Sequence, residues 1–319
     1  MELLTKHIKS GVKNFNIPIV KTQTYIPSEL IAHLQTEFKN SQFTVKEAIT
    51  YVSSFNHQSI HTMYSVGHIH IHVLTPNIQD IPPHLLLTRV IKRLYVVSQV
   101  FKIQQNVHFW FIPTDVNRKF PKTSIVTPEH INGGFTYAAN ATNDKKAVHI
   151  YIYRREDFPK VMLHELMHHS FINKNIHNSH ETRIVNTLKT ICNIDPSTEF
   201  LPNEGIIEAW ALILQSLFIS LDYNIPFNII MQKEKAWSLK QTSRLLYYKK
   251  NKAWKETTNS YCYFVIKTCC LSTPDMFIKN CLNNTVYMYL ESNIRGFLKN
   301  IVPVPMKHTR CRMSIFGDM

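Results

Sequence analysis

Glycine is scarce in this chain, with seven in 319 residues. Low-complexity tracts and internal repeats are missing, which excludes a repeat array or a linker-dominated chain. A long hydrophobic run is missing too. The best stretch, 209–221, is broken by Gln215, Ser216 and Ser220 and is too short to cross a bilayer, so no membrane span is expected. Residues 1–13 include Glu2, Lys6, His7, Lys9 and Lys13 and lack the apolar segment of a secretory leader. A soluble, cytoplasmic protein is therefore expected. Its six cysteines (192, 262, 269, 270, 281 and 311) would be reduced core thiols. Their spacing matches no familiar zinc pattern. Acidic residues run short of basic ones, 22 against 36, and the net charge is +14. That excess favours acidic partners: nucleic acid, acidic protein tails or an anionic surface.

What is present is an ordinary globular balance, 44% hydrophobic and 18% charged, enough for one large domain or two lobes. The basic residues cluster locally at Arg118, Lys119 and Lys122, at Arg154 and Arg155, at 249–255 and at 307–312. Tyr247, Tyr248 and Trp254 flank the third cluster and could stack on bases, although a solvated basic face explains such clusters as well.

The most specific signal is His164-Glu165-Leu166-Met167-His168, within a helix expected over 157–172. Asp157 would cap that helix, and Pro159 falls in its first turn. Side chains four apart on a helix share a face, so the two imidazoles converge. Neutral imidazole is a strong zinc ligand, and a glutamate between two such histidines is a general base in waiting. A second helix, expected from about 202 to 221, is apolar around most of its circumference yet carries Glu204 and Glu208 on one face. Buried carboxylates are costly unless they are paired or bind a metal. One would complete the zinc site, and the other would hold a ligand histidine's free ring N–H.

His164-Glu165-x-x-His168 followed by Asn203-Glu204-x-x-x-Glu208 resembles the gluzincin zinc metallopeptidases. The resemblance covers about 132–221. It implies one Zn²⁺ per chain held by His164, His168 and Glu204, Glu165 as the catalytic base, and Glu208 as the acid behind a ligand histidine. The family's commoner residue at that last position is Asp, so Glu208 as ligand with Glu204 as its support stays open. The segments Lys119-Phe120-Pro121, 131–136 and 153–161 are in turn similar to uncharacterised metallopeptidase-like proteins of large nucleocytoplasmic DNA viruses. That likeness implies a host cytoplasm or virion location, and a lysine- and asparagine-rich, glycine-poor composition suits an AT-rich genome.

Along the chain, helices are expected at 28–39, 44–53 and 84–101. Strands are expected at 68–73, 107–112, 134–138 and 147–154. After residue 173 the pattern is mainly helical, at 180–192, 202–221, 233–248, 260–270, 273–282 and 285–297. The expected fold class is α+β and, by analogy, zincin-like: an N-terminal lobe with a twisted mixed sheet and the HExxH helix, then a mainly helical lobe. The expected division is an N-terminal helical extension over 1–60, an α+β lobe over 61–173, and a helical lobe over 174–319 carrying the third ligand. His68, His70 and His72 would form a solvent-facing row, with a second metal site as the sharper alternative.

The chemistry expected is hydrolysis of a peptide bond in a protein or peptide substrate. Glu165 takes a proton from the attacking water and passes it to the departing amine. A second oxyanion donor would come from Tyr261 or Tyr263, ahead of Tyr247, Tyr248 and Arg244. Gly134, Phe135 and Thr136 would form an edge strand that binds extended substrate through its main chain. An ordinary turn leading into a strand explains the same residues. Three more specific readings stay open: a protease of nucleic-acid-bound proteins, a trimming peptidase for acidic tails, and a zinc-stabilised structural or virion protein without turnover.

Overall fold

The computed structural model describes residues 1–121, 125–136, 147–249, 252–305 and 310–319. Its chain divides into two compact units. One comprises residues 6–117, 132–166 and 318–319; the other comprises 1–5, 118–131 and 167–317. The division falls inside the motif helix.

The first unit is built on a mixed sheet of six strands: β1 (Val20–Tyr25), β2 (Ile60–Val66), β3 (Ile69–Thr75), β4 (Asn106–Thr114), β5 (Gly134–Thr136) and β6 (Ala147–Arg154). Their spatial order is β1-β2-β3-β4-β6-β5. The β3–β4 and β4–β6 pairs are parallel and the rest antiparallel. Parallel neighbours need a crossover, and helix α4 (His84–Val100) provides the one between β3 and β4. Strands β3, β4 and β6 are buried over most of their length.

Helices α1 (Glu2–Lys13), α2 (Ser28–Asn40) and α3 (Lys46–Ser53) precede the hairpin β2–β3. Residues 6–60 are therefore no separate extension. β1 pairs along its whole length with β2. Leu34, Phe38, Ala48 and Val52 share a core with Ile112, Phe135, Tyr151 and Tyr153 of the sheet. The sequence reading missed β1 and β2 because VKTQTY and IHTMYSV carry little apolar alternation, and β1 is exposed throughout.

The second unit is helical: α5 (Pro128–Ile131), α7 (Phe171–Asn178), α8 (Thr182–Ile191), α9 (Pro202–Tyr223), α10 (Phe227–Lys249), α11 (Lys267–Ser272), α12 (Pro274–Leu282) and α13 (Val286–Lys299). Helix α9 opens with Pro202 at its first turn and stops at Asn224, whose left-handed φ of 52° ends it. It is long and apolar enough to cross a membrane, but most of it is buried inside this unit, which accounts for its apolarity. All six cysteines are buried and none is in a disulfide.

Several residues read from the sequence as a basic surface are structural. Arg154 is fully buried, and its guanidinium donates to the carbonyls of Asn132 (2.5 Å) and Val116 (3.1 Å). Arg118 is buried and donates to the Ile131 carbonyl at 2.6 Å. Trp254 lies in the core, and Tyr248 stacks on Phe120 while bonding the Pro121 carbonyl. Lys122, Lys250 and Lys307 lie outside the described residues.

Candidate metal centre

Strand β6 leads directly into the motif helix, α6 (Phe158–Met167). The turn between them passes through Asp157 in the left-handed region, φ 61°, which short polar residues tolerate best. Its N–H donates to the Asp318 carboxylate at 2.6 Å. The helix stops at Met167, five residues before the expected end, for a local reason. The Ser170 hydroxyl donates back to the Met167 carbonyl (2.6 Å) and accepts the N–H of Asn173 (3.3 Å), which ends one helix and caps the next. The Asn173 amide holds the His168 carbonyl at 2.7 Å.

His164 is 5% exposed and Glu165 is 9% exposed, both in the body of the helix. His168 falls just past its last residue and is partly exposed. His168 Nε2 and Glu204 Oε2 lie 3.7 Å apart. That is too long for a hydrogen bond and close to the ~3.4 Å span of two ligands on one tetrahedral zinc with bonds of about 2.1 Å. With His164 they form a group whose ligand atoms all lie within 4.8 Å of one another. Two imidazole nitrogens and a carboxylate oxygen are a donor set suited to zinc, with a coordination position to spare. Glu204, not Glu208, is the carboxylate that joins this group. Glu208 is buried one turn further along α9. Among the described residues no other histidine, cysteine and carboxylate cluster of this kind occurs.

Glu204 is held by its own unit. Its Oε2 accepts a hydrogen bond from the Tyr263 hydroxyl at 3.1 Å, and its Oε1 accepts the Asn203 amide at 3.4 Å. Tyr263 belongs to a π-helical turn, Cys262–Ile266, that runs on into α11. Such turns insert an extra residue into a helix and concentrate at functional sites. Here the π-turn packs against α9 at Gly205, where a Cβ would lie 2.5 Å from the Cys262 carbonyl oxygen. The helix begins under a buried carboxylate. Glu256 accepts the N–H of Ser260 (2.9 Å) and of Tyr261 (3.1 Å), along with the Ser260 hydroxyl. Burial pushes its pKa up to about 7, against the opposing pull of those bonds.

The other sequence candidates are placed differently. Tyr261 is turned into the core, its ring against Phe200 and Trp254 and its hydroxyl beside the Cys192 thiol, so it is not the partner of Glu204. Arg244 is buried in α10, and Tyr247 is exposed. Gly134, Phe135 and Thr136 do form an edge strand, as expected. Phe135 is nonetheless buried against Phe38 and Tyr151, and Gly134 is small because the β6 backbone is close: a Cβ would lie 2.7 Å from the Tyr151 oxygen. Tyr137 lies outside the described residues. The π-turn and Asn203 were missed as supports of Glu204. The Asn-Glu pair was visible in the sequence, but nothing in CYFVI announces a π-turn.

No family model, curated protein or solved structure matches this chain.

Proposed function

We propose that this chain is a zinc-dependent metallopeptidase. The observation that carries the reading is the convergence of His164, His168 and Glu204, with Glu165 following His164 on the same helix. Zinc, when bound, supplies a Lewis acid and acidifies a water toward neutrality. The protein supplies the rest. Glu165 accepts the proton of the attacking water and returns it to the departing amine nitrogen. Tyr263 spends its hydroxyl proton on Glu204, so it is a positioning residue that fixes the carboxylate's direction. Glu208, buried on α9, is the proposed partner of a ligand histidine's ring N–H. The substrate class is a protein or peptide. A nucleic-acid-associated role without turnover is less favoured, because Arg118, Arg154 and Trp254 are buried.

The test is cleavage of unstructured protein by the zinc-loaded full chain, with new termini mapped by mass spectrometry. Cleavage that stops on chelation and returns with zinc is the expected result. A fully zinc-loaded chain that cleaves no member of a broad peptide library would overturn the peptidase reading while leaving the metal centre.

A further inference from the structure

The row read from the sequence as solvent-facing histidines is something else. His68 lies in the turn before β3, and His72 is 6% exposed. His70 and His72 meet histidines from three other strands on one face of the sheet. The register sets His70 opposite His108, and His108 opposite His149. His61 Nε2 lies 2.9 Å from His72 Nδ1, and His72 Nε2 lies 3.0 Å from His108 Nδ1. The His70 and His108 rings stack at 4.6 Å, and those of His108 and His149 at 5.3 Å. Trp110 lies flat on His72 at 4.0 Å and donates its indole N–H to His149 Nδ1 at 3.0 Å. At the row's edge, Ser65 pairs with His70 Nδ1, and His33 of α2 reaches Tyr151.

Near-parallel stacking points the ring lone pairs along parallel lines rather than at one point, which argues against a metal here. The proton count is more telling. Indole N–H only donates, so His149 carries its proton on Nε2. In the chain His61–His72–His108, each of the two gaps holds one proton. Three neutral rings bring three protons, and the chain has places for four: one per gap and one on each outer nitrogen. A second added proton must put two into one gap and break it. The charges that lower His72 are again histidines, His61, His70, His108 and His149, and His68 lowers His70. The facing residues of β1, Thr22 and Thr24, carry no charge.

We propose that this imidazole ladder is an acid-sensitive lock, which clamps β2, β3, β4 and β6 when neutral and releases them as the pH falls below about 6. Strand β6, which carries His149, leads into the HExxH helix, so release would reach that helix along the chain. The lock itself does not depend on the metallopeptidase reading.

The sign follows from proton linkage. Burial holds the pKa of His61, His70 and His72 below the ordinary value, and neighbouring histidines add to it for His70 and His72, that of His72 down to about 2. The unfolded chain therefore binds more protons, and stability present above about pH 6.5 is lost as the pH falls. Each ring held neutral lowers the folding equilibrium about tenfold per pH unit in that range.

The test is urea unfolding of the full chain at steps from pH 7.5 to 5.0 for wild type, His72→Phe and His108→Phe. Phenylalanine keeps a ring in the stack and removes both bridging nitrogens. The pH dependence of wild type should exceed that of either variant by about tenfold per pH unit or more below pH 6. Parallel curves for all three proteins would overturn the lock. Should either variant fail to fold, the Trp110 fluorescence of wild type, taken by difference from Trp110→Phe, decides. That fluorescence reads the opening of the ladder, so it must change together with the strand signal and at lower urea as the pH falls below 6.5, and a urea midpoint unchanged down to pH 5 would equally overturn the proposal.

Discussion

Glu165→Gln should leave one zinc per chain in place and lower peptide hydrolysis by about 10²- to 10⁴-fold, the range associated with a positioned general base. The substitution keeps the shape and length of the side chain and removes only its basicity. Glu165 stands between the two histidines in sequence but is not in the ligand group, so the metal should be indifferent to it. Stopped-time cleavage assays at equal zinc occupancy are the measurement. Hydrolysis within a few-fold of wild type would remove Glu165 from the reaction, and with it the proposed mechanism.

Gly205→Ala should be far more damaging than one added methyl suggests. The new Cβ would sit 2.5 Å from the Cys262 carbonyl oxygen and 2.7 Å from Ile266 Cβ. The first obstacle is backbone, which cannot rotate away. Overpacking of this kind costs about 1–3 kcal/mol, occasionally more, and the upper end is expected here. The strain falls on the contact between α9, which carries Glu204, and the π-turn, which carries Tyr263. Zinc affinity should therefore fall together with stability. Gly296→Ala is the matching control. It lies on the exposed side of α13 with nothing within 4 Å of a new Cβ, and should stabilise by about 0.5–1 kcal/mol. Denaturant unfolding of the two variants should give opposite signs. Equal, small effects would show that α9 and the π-turn are not in tight contact.

Much of this was legible in the sequence, for physical reasons. Strands β3, β4 and β6 and the long helices announced themselves by uninterrupted or periodic apolar residues. Helix α9 was found nearly to the residue at its start, because Pro202 and the run from Ile206 onward leave little choice. HExxH was visible because helical spacing converts four residues of sequence into one face. Glu204 stood out because a charge on so apolar a helix needs a partner. What was not legible depends on register between distant segments. Edge strand β1 is polar and exposed, and its pairing is decided by β2. His61, His108 and His149 meet His70 and His72 only through strand pairing, although the His-x-Trp of β4 and the His-x-Tyr of β6 were an available hint. Tyr261 and Tyr263 could not be told apart, since Tyr263 lies in a π-turn that begins just after Tyr261, and the two do not follow α-helical spacing.

The most direct measurement is zinc content by elemental analysis of wild type, His164→Ala, Glu165→Gln and Glu204→Gln, purified side by side and loaded with zinc. One zinc per chain is expected in wild type and in Glu165→Gln. His164→Ala should bind none, and Glu204→Gln should hold zinc more weakly by about 10–100-fold or more. Wild type without zinc after loading, or His164→Ala with a full complement, would contradict the metal centre on which the proposed function rests.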